Sequence, residues 1–188
     1  GKPAGVASAG GYRVGAGVGA APRVKAGRGE PGGIVIDAKR GGNRTGSGGG
    51  SDFGYAETNE DLVAYGLEGH THVPEIQRTL SDFAGRKATV AFTPHLVPMT
   101  RGILATCYAR PRGKVATAQL YAAAEAAYGK EPFVKIVATD KGRGPHTKWA
   151  SGSNLVFLSY AVNPDAGLVV AVAAIDNLGK GAAGQAMQ

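Results

Sequence analysis

Apolar side chains along this chain recur with two different spacings, and the changes from one to the other divide it into elements. The run "GGIVIDAK" holds Ile34 to Ile36 between glycines and Asp37, a short buried strand, and "RGGNRTGSGGGS" follows it as a loop. In "HVPEIQRTLSDFAG" the spacing lengthens. Ile76, Leu80 and Phe83 fall at i, i+4 and i+7, with Pro74 suited to a first helical turn and Gly85 to a stop, which predicts a helix. "KATVAFT" and "GILATCYAR" read as strands on either side of a proline-bearing connection, "PHLVPMTR". "TAQLYAAAEAAYG" is a second predicted helix, with Thr117 as cap, Leu120, Ala124 and Ala127 on one face, and Gly129 as stop. "PFVKIVA", "NLVFLSYAV" and "GLVVAVAAID" add three strands, and "NLGKGAAGQAMQ" starts like a helix at the end of the sequence. Strand runs with two interposed helices predict an α+β fold, a mixed or antiparallel sheet with its helices on one face.

Composition changes this picture at one end only. The 188 residues suit one domain, but residues 1–50 hold 17 of the 31 glycines and eight lysines and arginines against two acids, Glu30 and Asp37. Six of the seven net positive charges therefore lie in a glycine-rich arm with little apolar area to offset the entropy of ordering it. Arg13, Arg23, Lys25 and Arg28 give that arm a nonspecific attraction for polyanions. With Tyr12 as its one aromatic it has no stacking platform, and no nucleic-acid partner is expected. The single cysteine, Cys107, excludes an internal disulfide and a multi-cysteine zinc site. Without an apolar run of membrane-spanning length or a secretory leader, a soluble, cytoplasmic protein is expected.

The candidate chemistry begins with "GHTHVPEI". His70 and His72 stand where the first helix opens, a place that favours anions and disfavours a protonated imidazole. Two histidines one residue apart are a weak metal signal, and no metal site is expected. Cys107, inside a strand, reads as a packed core thiol. His95 reads as a side chain bonding a backbone carbonyl in a proline-framed turn, Trp149 as a cover for one end of the sheet, and Lys180 as a solvated charge.

Six segments, "NEDLVAYG", "GHTHVPEI", "FTPHLVPMTRGILAT", "EPFV", "GSN" and "AIDNLGKGAAGQA", resemble N-acetyl-γ-glutamyl-phosphate reductase in content and order. The resemblance implies an NADPH-dependent reduction of an acyl phosphate to a semialdehyde in arginine biosynthesis, with the lysine-pathway aminoadipyl-phosphate reductase as the alternative substrate class. It implies an α+β domain like the C-terminal domain of glyceraldehyde-3-phosphate dehydrogenase, and a homo-oligomer. His70 becomes the catalytic acid/base, His72 and Arg101 substrate-binding residues, and Asn177 a cofactor-binding residue for the nicotinamide carboxamide.

Three departures from the family pattern qualify this. Gly11 in "SAGGYRVGA" falls at the nucleophilic cysteine, Thr71 stands where the family places an arginine, and "RGGNRTGS" replaces a "SGxSGAGR" loop. No dinucleotide fingerprint precedes a strand-turn-helix unit, so the cofactor domain is expected to be absent from this chain. The expected organisation is a basic remnant over 1–33, an α+β catalytic and dimerisation domain over 34–176, and over 177–188 the start of a helix returning to that cofactor domain. The isolated chain is expected to be inactive. A non-catalytic dimerising module is the competing reading.

Overall fold

A computed structural model describes residues 30–42 and 59–183. Gly11, the arm up to residue 29 and residues 184–188 lie outside them. Seven strands form one mixed sheet: β1 (Ile34–Gly41), β2 (Val63–Ala64), β3 (Val90–Val97), β4 (Ile103–Ala109), β5 (Val134–Ile136), β6 (Val156–Asn163) and β7 (Leu168–Ile175), in the order β2-β3-β1-β4-β7-β6-β5. Parallel pairing joins β1 to β3 and β5 to β6; the other neighbours are antiparallel. The helices are α1 (Val73–Ala84), α2 (Thr117–Tyr128) and the single turn α3 (Thr147–Ala150), and a π-helical turn spans Gly179–Ala183.

Alternation along the strands sets the layers. Ile34, Ile36 and Ala38 of β1, Ile103, Ala105 and Cys107 of β4, and Val169, Ala171 and Ala173 of β7 are buried in one cluster with Ile76 and Leu80 of α1 and Leu120 and Ala124 of α2. Both long helices therefore cover the same face, as the sequence predicts. The other face carries Val35, Asp37 and Lys39, Thr93 and His95, Thr106 and Tyr108. Residues 140–150 close over its β6 and β7 side: Trp149 meets Phe157 edge-on at 5.8 Å, and Gly144 lies against Ser159 and Val172. The β3-β1-β4 part stays open, with Val35 43% exposed.

Several details differ from the sequence reading, for tertiary reasons. β1 continues through Asp37 to Gly41 because it is paired on both sides, by β3 and β4. β3 runs through Pro94 and His95, which the sequence reading placed in a connection. The Pro94 carbonyl accepts the Tyr65 N–H at 3.0 Å, and N–H and C=O of one strand residue point to the same side. The missing Pro94 donor thus faces the two-residue β2, where it costs least. In α1 the buried stripe is Ile76 and Leu80 with Val73 and Ala84 packed beside them; Phe83 is 37% exposed. Thr117 is the first residue of α2 and not its cap: its Oγ1 accepts the Val162 N–H at 3.2 Å, while the N-cap is Ala116, whose own N–H donates to Gln119 Oε1 at 3.1 Å.

Residues 30–33 are tied to the domain. Glu30 pairs with Arg112 at 2.6 Å and Arg86 at 3.2 Å, and the Thr89 N–H donates to Pro31 at 2.9 Å. No helix among the described residues is long and apolar enough to cross a membrane.

Candidate functional site

The register brings the C-terminal ends of β1, β3 and β7 and the N-terminal ends of β4, β5 and β6 to one edge of the sheet. Arg101 and Asn177 flank this edge directly, after β3 and after β7, whereas His70 packs on Phe92 within β3.

His70 closes the turn that leads into α1. Gly66 makes the turn possible: its φ is +62°, and a β-carbon there would stand 3.2 Å from His70 Cδ2. The His70 ring packs edge-on against Phe92 at 5.1 Å and tilts against Tyr65 at 5.8 Å, while its carbonyl accepts the Val73 N–H at 3.0 Å. His72 stacks on it, with centroids 4.9 Å apart and planes at 20°. The His72 backbone N–H donates to His70 Nδ1 at 3.1 Å. A backbone amide can only donate, so the hydrogen-bond network assigns the proton of neutral His70 to Nε2. Burial holds its pKa below the ordinary histidine value, and the neighbouring His72 and the Arg40 guanidinium act in the same direction. The sequence reading anticipated this direction but assigned it to the helix terminus.

Arg101, Asp176 and Asn177 form a second constellation at the ends of β4 and β7. Asp176 is fully buried. Its carboxylate accepts the N–H groups of Gly152 at 2.5 Å, Leu178 at 2.8 Å and Gly179 at 3.0 Å, and Arg101 Nε stands 2.9 Å away. Burial alone would raise its pKa; the three amides and the guanidinium outweigh that and hold it below the ordinary aspartate value. Asn177 Oδ1 accepts the Gly102 N–H at 2.7 Å. Two adjacent residues thus fasten both Arg101 and Gly102, so the β3-β4 connection is locked to the turn after β7.

Sequence reasoning assigned no role to Asp176 or Arg40. Asp176 carries a local signal: an aspartate ending an apolar run, its side chain bonding the amides two and three residues on. Lys180 is corrected. It is 6% exposed, its Nζ lies 5.7 Å from the centre of the Phe133 ring, and burial lowers its pKa against the opposing pull of Glu131. His95 is corrected too. It sits within β3 on the open face with Nδ1 3.2 Å from Asp37 Oδ1, and Lys39 Nζ holds the same carboxylate oxygen. Cys107 lies in the core between Ile36 and Ala171. Among the described residues no group of three or more histidine, cysteine or acidic side chains could hold a metal ion.

A family profile described as semialdehyde dehydrogenase, dimerisation domain, matches residues 12–177. The chain is 58% identical over 156 residues to an N-acetyl-γ-glutamyl-phosphate reductase from Bradyrhizobium sp. strain BTAi1, covering 82% of this chain and 46% of that protein. A protein of the same name from Desulforudis audaxviator is 46% identical over 183 residues, with 97% of this chain and 52% of that protein covered. The chain spans about half the length of the curated relatives it matches. Among solved structures, aspartate semialdehyde dehydrogenase II from Vibrio cholerae has the same fold with a TM-score of 0.70 at 13% identity, over 95% of this chain and 59% of that one. A probable aspartate-semialdehyde dehydrogenase from Pseudomonas aeruginosa gives 0.68 at 16% identity, over 94% and 59%.

Proposed function

Because the chain belongs to the semialdehyde dehydrogenase dimerisation-domain family, we propose that it is the α+β part of a cytoplasmic N-acetyl-γ-glutamyl-phosphate reductase of arginine biosynthesis. The observation that carries this reading is the 58% identity to the Bradyrhizobium reductase, over a segment that includes a neutral, helix-entrance His70. In the proposed reaction a thiolate attacks the acyl carbon, the carbon–oxygen bond to phosphate breaks, and a thioester forms. His70 donates its Nε2–H to the acyl oxygen as negative charge builds there, which is a role for a neutral imidazole near pH 7.

NADPH is the cofactor expected of such an enzyme, and it would supply the hydride that reduces the thioester. Among the described residues no glycine-spaced turn links a strand to a helix as a cradle for a dinucleotide diphosphate, so this chain's residues are assigned to the acyl-phosphate side. Asn177 spends its oxygen on Gly102. Its contribution to the cofactor is therefore to shape the 176–181 turn that meets the nicotinamide end. His72 orients His70 through its backbone N–H, and Arg101 borders the substrate while anchored on Asp176.

Glycine at position 11 cannot act as a nucleophile, and Cys107 is sealed in the core, so the isolated chain has no turnover in this reading. The open β3-β1-β4 face pairs with that of a second copy. The test is a chimera in which residues 34–177 replace their counterpart in the Bradyrhizobium reductase. NADPH-dependent reduction of N-acetyl-γ-glutamyl phosphate, lost in His70→Ala, is the expected result. A chimera that folds, dimerises and binds NADPH without turnover would overturn it. That outcome would favour the alternative, a non-catalytic dimerising module, which the dimerisation-domain profile also supports.

A further inference from the structure

The open face of β3, β1 and β4 concentrates its charge at two positions of one strand. Val35, Thr93, Leu104, Thr106 and Tyr108 give this face an apolar and hydroxyl-bearing surface. Asp37 and Lys39 interrupt it, two residues apart on β1 and so about 7 Å apart along the strand. Their side chains are 33% and 34% exposed, one anion beside one cation, with His95 next to them on β3.

Within one chain this cluster is only half satisfied. Lys39 Nζ and His95 Nδ1 both crowd onto Asp37 Oδ1, the imidazole at 3.2 Å but out of hydrogen-bond alignment, and Asp37 Oδ2 accepts nothing among the described residues. Lys39 likewise uses one of the three donors of its ammonium. An apolar surface laid over the face would strand both groups at a high desolvation cost. Whatever covers it must bring a cation to Asp37 and an anion to Lys39. A uniformly acidic or basic partner satisfies one and repels the other. A second copy, related by a two-fold axis passing between the two positions, presents the same pair in reverse order and satisfies both. The family profile that matches this chain is that of a dimerisation domain.

We propose that Asp37 and Lys39 set the register of a two-fold contact between copies of this chain, Lys39 of each copy facing Asp37 of the other. The proposal rests on the pairing of open faces given above and adds the residues that select the partner. Val35 and Tyr108 supply apolar area, which is indifferent to small displacements. The charges are not indifferent. Moving the axis onto either residue sets like charges face to face, so the pair rejects the neighbouring registers as well as favouring one.

The experiment measures the mass of the full chain by light scattering over a concentration series, with circular dichroism to confirm folding. Wild type, Asp37→Lys, Lys39→Asp and an equimolar mixture of those two variants are compared, with Asp140→Lys as a charge change in the exposed Asp140–Arg143 pair. Wild type and Asp140→Lys are expected to dimerise with the same affinity. Each reversal opposes like charges twice across the axis and should self-associate about 100-fold more weakly. The mixture should recover a heterodimer within about 10-fold of wild-type affinity, because the two lysines of one chain then meet the two aspartates of the other. Recovery cannot come from the internal Lys39–Asp37 pair, which both variants lack. Should a reversal unfold the chain, Asp37→Asn and Lys39→Gln replace the pair; their mixture regains one of the two charge contacts and is expected to prefer the heterodimer. Reversals that dimerise like wild type, or a mixture of folded chains without heterodimer, overturn this register and leave the pairing of open faces standing. A wild type that stays monomeric overturns both. No substrate or cofactor enters the test, so its failure is separate from that of the reductase reading.

Discussion

Asp176 shows how much one side chain organises. Buried beneath the strand ends, it gathers three amides from two segments and the Arg101 guanidinium around one carboxylate. Asp176→Asn keeps the shape but removes the charge, and should cost about 2–4 kcal/mol, because Arg101 loses its counterion and one amide faces an NH2 group. The native pKa lies below the unfolded value of about 3.9, so this stabilisation is complete above that value and is lost as pH falls through the native pKa. Urea midpoints of wild type and variant should differ by a constant amount from pH 7 to about 5 and converge in stronger acid. A gap that persists undiminished at low pH would assign the effect to packing rather than charge. His70 was legible as a candidate because its position at a helix entrance is a local property. The burial of Lys180 was not, since it depends on what the folded chain packs around it.

At the scale of elements, spacing read the helices more faithfully than the strands. α1 and α2 follow from the 3.6-residue period and end at Gly85 and Gly129 as expected. The strand ends were misplaced at Pro94 and at Asp37–Gly41, where pairing with neighbours outweighs residue preference. The same pairing makes Gly41 a site of close approach. A β-carbon there would stand 2.5 Å from the Met99 carbonyl oxygen and 2.9 Å from the Arg101 nitrogen, both backbone atoms. At Gly85 the space is open and only the φ of +65° opposes a side chain. Gly85→Ala should therefore cost about 1 kcal/mol and Gly41→Ala about 2–3 kcal/mol. Denaturant midpoints give the order, and the reverse order would show that the β3-β4 connection yields freely.

For the whole molecule, the sheet is asymmetric. One face is filled by α1 and α2, and the other is partly roofed by residues 140–150 and otherwise open. Tyr108 lies on the open part, paired across the strands with Val35 and Val170. If two copies meet there, light scattering should give a dimer for the wild type and a folded monomer for Tyr108→Glu, with unchanged circular dichroism. A Tyr108→Glu dimer of wild-type strength would move the interface elsewhere. The Lys39–Asp37–His95 cluster on the same face breaks an otherwise apolar and hydroxyl-bearing surface.

The linear sequence by itself determined the α+β class, the two helices and their covered face, and the histidine at the helix entrance. Each depends on side-chain spacing within a dozen residues, and burial enforces that spacing directly. Tertiary structure decided the strand order, the passage of β3 through Pro94, and the joining of Arg101 to Asp176 across 75 positions. These depend on which backbones lie alongside each other, and hydrogen-bond ladders between distant segments leave no periodic trace in either segment alone.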